Sequence, residues 1–271
     1  MILDVLISTI YVDGIERVAR MNLPEIDGVR YIVSWQMPGK AEIPASLKRH
    51  DISVFPHESK GLSVNRNYAL SKAEGDICLV ADDDLIYTPQ MLRRVTAAFE
   101  RNPEIDLALF KIESPDGKRY ADHEYDLSRA PRYFYVTEVE MAFRRESVKG
   151  KIFFSPKIGL GSDTGEVLAG EGEMFYFTAM KKGLKCRFFP EVIAIHEGVT
   201  TGACKNLSAG VERSKGVFIY MKHRHSWLPR IIVNALREHK HGRCRVDKAL
   251  LYLWQGVEFA RRNFNADGTD R

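Results

Sequence analysis

The sequence predicts an α/β fold: a mainly parallel, Rossmann-like mixed sheet flanked by helices, with a helical C-terminal extension. Three observations carry that prediction. Short apolar runs alternate with helical patterns over residues 1–112, the rhythm of βαβ units. One of those runs, Ile77-Cys-Leu-Val-Ala, breaks off abruptly into Asp82, Asp83 and Asp84, and ligands of such sheets bind at the carboxyl ends of strands. Near the end of the chain, Val246, Leu250, Leu253 and Val257 recur at helical spacing, an apolar stripe that a helix docks.

Residues 2–8 read as the first strand, and residues 13–21 as a helix with Val18 and Met21 on its apolar edge. Residues 29–34 and 52–55 are the second and third strands. Ser63 is the expected N-cap of the next helix, with Val64, Tyr68 and Ala69 a turn apart and Gly75 closing it. After the acidic triplet, Thr88 as N-cap and Pro89 at the first helical position open a helix over 88–100. Leu92, Val95 and Phe99 share its inner face, and Asn102-Pro103 stops it. Residues 107–112 form another strand, and there the alternation fails. Residues 113–131 are polar; 133–136 and 139–143 look strand-like. The Gly-rich stretch 155–170 reads as a mobile loop. A helix from Glu171 turns Met174, Phe175, Thr178 and Ala179 inward and ends at Lys181-Lys182-Gly183. Residues 187–189 and 192–195 are strand-like on either side of Pro190, and His196 follows. Residues 265–271 are expected to fray.

Composition narrows the class. Of 271 residues, 45% are apolar and 28% charged, the profile of a globular protein in water. Met1 to Ile7 has no basic n-region and carries Asp4 inside its apolar run, so it reads as a strand and not a signal peptide. No run approaches a membrane span in length. Cys78, Cys186, Cys204 and Cys244 are scattered without a C-x-x-C pair, so a disulfide framework is not expected and a reducing cytoplasm fits. The net charge of +4 is unevenly placed: residues 222–271 hold 11 Lys and Arg against 5 Asp and Glu. A basic tail suggests contact with an anionic surface. Nucleic acid is not the expected partner, because no recognition motif accompanies those residues.

Three adjacent carboxylates repel one another, and Thr88 already caps the helix behind them. The triplet makes sense if a cation sits there, and hard oxygen ligands at a strand end suit Mg²⁺ or Mn²⁺ on a diphosphate.

Other pieces then converge. The first strand ends Ile7-Ser8-Thr9. Gly61-Leu-Ser-Val-Asn65-Arg66-Asn67 follows, then Gly75-Asp76 ahead of the Asp82-Asp83-Asp84 strand. Gly170-Glu171, Phe175, Lys182-Gly183, Pro190 and His196 come later. In that order and spacing they resemble an inverting family-two glycosyltransferase of GT-A fold and bacterial type, over about residues 2–200. The resemblance implies residues 1–112 as a nucleotide-binding half, 113–200 as an acceptor half and 201–271 as the extension. It implies metal-dependent transfer of a sugar, with inversion, from a nucleotide-diphosphate donor, UDP-sugar preferred, to a glycan or lipid-linked acceptor. The cofactor expected is Mn²⁺ or Mg²⁺. In a D-x-D arrangement Asp82 would face the ribose or base and Asp84 the metal, while Asp83 assists or points inward. Arg66 could pair with phosphate oxygens. Gln36, where many relatives carry Asp, could match the edge of uracil with its amide. Thr9 and Tyr11 could flank the base, and His196 could ligate the metal. Lys205 and Lys215 lie in a segment that could fold over the diphosphate. The base falls to Glu171 or Glu173, with Glu171 preferred as nearer the loop, because Gly172 stands where relatives often carry a second acid. A peripheral position at the inner face of an anionic membrane, where lipid-linked acceptors sit, fits the basic extension.

Other readings compete. A haloacid-dehalogenase-type phosphatase also uses D-x-D, but three strands precede this one and Ile86 stands where Thr or Val is needed. A nucleotide-sugar or glycan-binding module that has lost its base is favoured by Gly172.

Overall fold

The computed structural model describes residues 1–115, 118–131, 134–198 and 208–271. Among them β1 (Leu3–Ile10) lies between β2 (Val29–Gln36) and β4 (Ile77–Asp82), parallel to both. β3 (Ile52–His57) extends the parallel half at the edge. Beyond β4 the sheet turns mixed. β8 (Met141–Arg144) is antiparallel to β4 and to β6 (Leu107–Glu113). β9 (Cys186–His196) runs parallel to β6 and antiparallel to β5 (Leu85–Ile86). The short β7 (Tyr125–Asp126) also pairs with β9.

Both faces of the sheet are covered, so its central strands are apolar on both sides. Leu3, Val5 and Ile7 of β1 and Ile77, Leu79 and Ala81 of β4 enter one core layer. Leu6, Cys78 and Val80 enter the other, as the two-residue period of a strand requires. The first layer is covered by α1 (Tyr11–Arg20) and α3 (Pro89–Arg101), through Ile15, Val18, Leu92, Val95 and Phe99. The second is covered by α2 (Leu62–Lys72) and α5 (Glu171–Lys181), through Ala69, Leu70, Phe175 and Ala179. Asp4 is fully buried in β1. It holds Arg30 by two hydrogen bonds and accepts the backbone N–H groups of Glu74 and Gly75, fixing the chain's entry into β4.

Several local expectations change. Thr88 caps α3 as its side chain predicts, accepting from the Met91 N–H. Helix α2, however, starts at Leu62 behind Gly61, whose φ of +99° is open to glycine. Ser63 instead turns inward and donates to the Ile158 carbonyl at 3.0 Å. Residues 134–137 form no strand, Tyr133 lies outside the described residues, and Val139 sits in a 3₁₀ turn, Glu138–Glu140. Pro190 does not divide β9: the register against β6 shifts between Leu109 and Lys111, and a bulge absorbs it.

The 155–170 loop is packed, with Ile158 and Val167 fully buried and the Leu160 carbonyl accepting the Leu62 N–H. The tail that was expected to fray holds this loop: Ser155 donates to Asp270, and Lys157 to the Arg271 carbonyl. Helix α4 (Arg145–Val148) is a single turn after β8, and the extension holds three longer helices, α6 (Ala209–Lys222), α7 (Trp227–Lys240) and α8 (Val246–Asn263). Met174 and Phe177 of α5 share a core with Val217 of α6 and Phe259 of α8.

Candidate active site

The parallel strands stop together. Register sets Asp82 beside Ser8 and Ser8 beside Ser34, with Gln36 two residues further along β2. The backbone is strained along this edge: Tyr11 after β1 and Met37 after β2 both take positive φ, 60° and 51°. Non-glycine residues rarely do so, and such positions cluster where ligands bind.

The three aspartates have three different surroundings. Asp82 accepts from Arg66 at 2.8 Å. Asp83 turns inward, held by both Nε and an Nη of Arg17 at 2.9 Å and by the Thr9 hydroxyl. It therefore ties α1 and β1 to the end of β4. Asp84 meets His196, whose Nε2 lies 3.1 Å from its carboxylate. That contact follows from strand pairing, since Leu85 of β5 is the register partner of His196. Burial, and then the charge of Asp82, pushes the Asp84 carboxyl up, while His196 pulls it down. A cation at this point would offset that crowding.

Arg66 is 2% exposed. One terminal nitrogen donates to Asp82 and the other to Glu171 at 2.9 Å; its Nε–H has no acceptor among the described residues. The guanidinium thus lies behind the two carboxylates and sets their positions, where sequence had suggested a direct phosphate contact. Burial and the neighbouring Glu138 push the Glu171 carboxyl up to about 7, against the pull of Arg66. Glu173 points elsewhere: it accepts from the Val136 N–H at 2.8 Å and pairs with Lys222 of α6. The i, i+2 spacing of Glu171 and Glu173 divides them between two faces of α5.

Gln36 is buried, and its amide nitrogen donates to Ser59 and to the Gly61 carbonyl, both at 3.1 Å. Both amide hydrogens are committed, so its carbonyl is what remains for a base edge. Tyr11 is 52% exposed at the strand ends, whereas Thr9 is buried against Asp83 and Gly14. Lys215 pairs with Glu212 and Glu238 inside the extension and does not reach the strand ends; Lys205 lies outside the described residues.

Sequence reading missed four residues here. Arg17 braces Asp83. His57 bridges Ser34 and Ser59, and Asn65 holds the Thr9 carbonyl. Glu138 accepts the Gly172 N–H at 2.8 Å. Asn65 stood beside Arg66 in the motif already quoted. Glu138 lay between two segments that read as strands, and no local pattern marked it.

The family model of glycosyl transferase family 2 matches residues 39–154. No curated protein sequence matches the chain. Among solved structures, S. aureus TarS 1-349 in complex with UDP superposes with a TM-score of 0.56 at 18% identity, over 81% of this chain and 66% of that one. TarS 1-349 in complex with UDP-GlcNAc gives 0.54 at 17% identity, over 81% and 67%. A mycobacterial protein gives 0.51 at 16% identity, over 78% and 73%. The chain spans 40% of the longer TarS chain. The matched stretch includes Arg66 and the acidic triplet, and a GT-A-like sheet continues on both sides of it: over those residues the chain is similar to glycosyl transferase family 2.

Proposed function

We propose that the protein transfers a sugar from a nucleotide-diphosphate sugar, with UDP-sugar as the first choice, to a glycan or lipid-linked hydroxyl, with inversion at the anomeric carbon. The observation that carries this is the junction of β4, β5 and β9. It sets the Asp84–His196 pair beside Asp82, with a buried arginine behind it. TarS, which shares the fold, has been crystallised with UDP and with UDP-GlcNAc, and that supports the choice of donor.

Breaking the bond from the sugar to the diphosphate builds negative charge on the leaving oxygens. A divalent Mn²⁺ or Mg²⁺ offsets such charge as a Lewis acid. Asp84 and His196 would hold it. Among the described residues no three His, Cys, Asp or Glu side chains gather to hold a metal. Asp84 and His196 would be its two protein ligands, and the imidazole favours Mn²⁺ over Mg²⁺, which prefers oxygen ligands. Arg66 orients Asp82, Tyr11 offers an exposed ring at the base end, and the Gln36 carbonyl can accept a base N–H.

The acceptor class rests on the extension. Leu228, Ile232, Val233 and Leu236 of α7 are exposed on one side of that helix, among basic residues. Such a surface suits peripheral contact with an anionic membrane.

A thermal-shift panel of nucleoside diphosphates with and without Mn²⁺ tests the donor site. The expected result is a shift by UDP that requires metal and is lost in Asp84→Ala and His196→Ala. Nucleotide binding that proceeds equally well without a divalent ion sinks the proposal.

A further inference from the structure

Helix α5 begins Glu171-Gly172-Glu173, and its middle residue has a neighbour that explains it. A Cβ built on Gly172 would lie 2.5 Å from Cγ of Glu138 and 2.9 Å from its Cδ and Oε1. The backbone of Gly172 is ordinary helix, with no positive φ, so conformation does not require glycine there. The Glu138 side chain fills the space a side chain at 172 would take. Thr137 and Glu140 build the 3₁₀ turn that presents Glu138: the Thr137 carbonyl accepts the Glu140 N–H, and the Glu140 carboxylate accepts the Thr137 N–H at 3.5 Å.

The acidic groups around this point differ in their freedom. Glu171 is buried and bound to Arg66. Glu173 is buried and bound to Lys222 and the Val136 N–H. Asp82 is held by Arg66, and Asp83 by Arg17 and Thr9. Glu138 is partly exposed, and among the described residues its one hydrogen bond is from the Gly172 N–H to Oε1. Its other oxygen keeps its lone pairs. Its charge acts on both Arg66 and Glu171, so it stands within the same cluster.

We infer that Glu138, delivered from the turn before β8 into the space above Gly172, is the catalytic base. The inference rests on the transferase reading. In the step it serves, the acceptor oxygen forms a bond to the anomeric carbon. The bond from that carbon to the diphosphate oxygen breaks, and its electron pair leaves with the nucleoside diphosphate. The acceptor's proton passes to the free oxygen of Glu138, which later yields it to solvent. Glu171 is then a positioning residue that acts through Arg66.

The test compares wild type, Glu138→Gln, Glu138→Ala and the double variant Glu138→Ala/Gly172→Asp. UDP binding with Mn²⁺ is read by calorimetry. Turnover is read as UDP release from a panel of UDP-hexoses and UDP-N-acetylhexosamines with water as acceptor. Glu138→Gln is expected to bind UDP within threefold of wild type and to lose at least a hundredfold in release, the usual size of a general-base contribution. The double variant, which returns a carboxylate to the vacated space, is expected to recover at least tenfold over Glu138→Ala. Release by Glu138→Gln within threefold of wild type overturns the assignment. So does a double variant that binds UDP but is no faster than Glu138→Ala. Failure of every form, wild type included, to bind UDP overturns the transferase reading itself.

Discussion

Arg66 shows how a buried charge orders a site. A guanidinium enclosed this deeply needs compensation, and Asp82 and Glu171 supply it from two different elements. The arrangement has a consequence for Glu171. Burial and Glu138 hold its proton to about 7, whereas in the unfolded chain a glutamate releases it near its ordinary value. Between those values the native state binds more protons than the unfolded state, so this group's contribution to stability is full below the unfolded value and is lost as pH rises to about 7. The loss amounts to a free energy on the order of 3 kcal/mol. Glu171→Gln keeps an acceptor for Arg66 but cannot ionise. Urea unfolding from pH 4.5 to 8 should therefore show a flatter stability profile for the variant than for wild type. An unchanged slope would show that Glu171 titrates normally in the folded protein.

At the scale of elements, sequence reading succeeded where apolar period and capping chemistry act locally. The strand into Asp82, the Thr88–Pro89 start of α3 and the inner face of α5 all follow from neighbours in the chain. It failed where a distant group decides. Ser63 looked like a cap but serves the Ile158 carbonyl 95 residues away. The tail looked free but is tied to Ser155 and Lys157. The site follows the same division: the triplet and His196 could be named, but their separate partners, and Glu138 above Gly172, depend on strand order and on a turn with no sequence mark. The packing of the extension was half legible. The stripe on α8 is buried at Leu253 and Val257 as its spacing predicts, yet α6 and α8 also approach each other closely at glycines. A Cβ on Gly216 would lie 2.1 Å from the Leu253 carbonyl oxygen, and one on Gly256 2.0 Å from that of Arg213. These are backbone obstacles that a side-chain rotation cannot relieve. Gly216→Ala should therefore cost about 1–3 kcal/mol, read as a lower urea midpoint. A midpoint equal to wild type would mean that the two helices separate freely.

For the molecule as a whole, charge and apolar surface coincide at one end. Residues 1–221 carry a net −2 and residues 222–271 a net +6, so the basic field belongs to the extension. There α7 packs Ile231 and Ala235 inward, while Val233 remains 64% exposed and Leu228, Ile232 and Leu236 about half exposed. Leu251 and Trp254 of α8 are also open to solvent. No helix among the described residues is long and apolar enough to cross a membrane, so contact with a bilayer would be along its surface. Between Trp227 and Lys248 six Lys and Arg stand against two carboxylates, and each basic residue near an anionic surface contributes about 1 kcal/mol, decaying within a Debye length. The protein should sediment with phosphatidylglycerol vesicles at low salt, and not with neutral ones, and should be released on the order of 0.5 M salt, where the Debye length is a few Å. Val233→Glu/Leu236→Glu should remove that binding while leaving thermal stability nearly unchanged, because exposed positions tolerate polar substitution. UDP and Mn²⁺ binding should persist in that variant, since α7 packs against α6 and α8. Wild-type protein left in the supernatant at low salt would remove the membrane from the proposal and leave a free glycan as the acceptor.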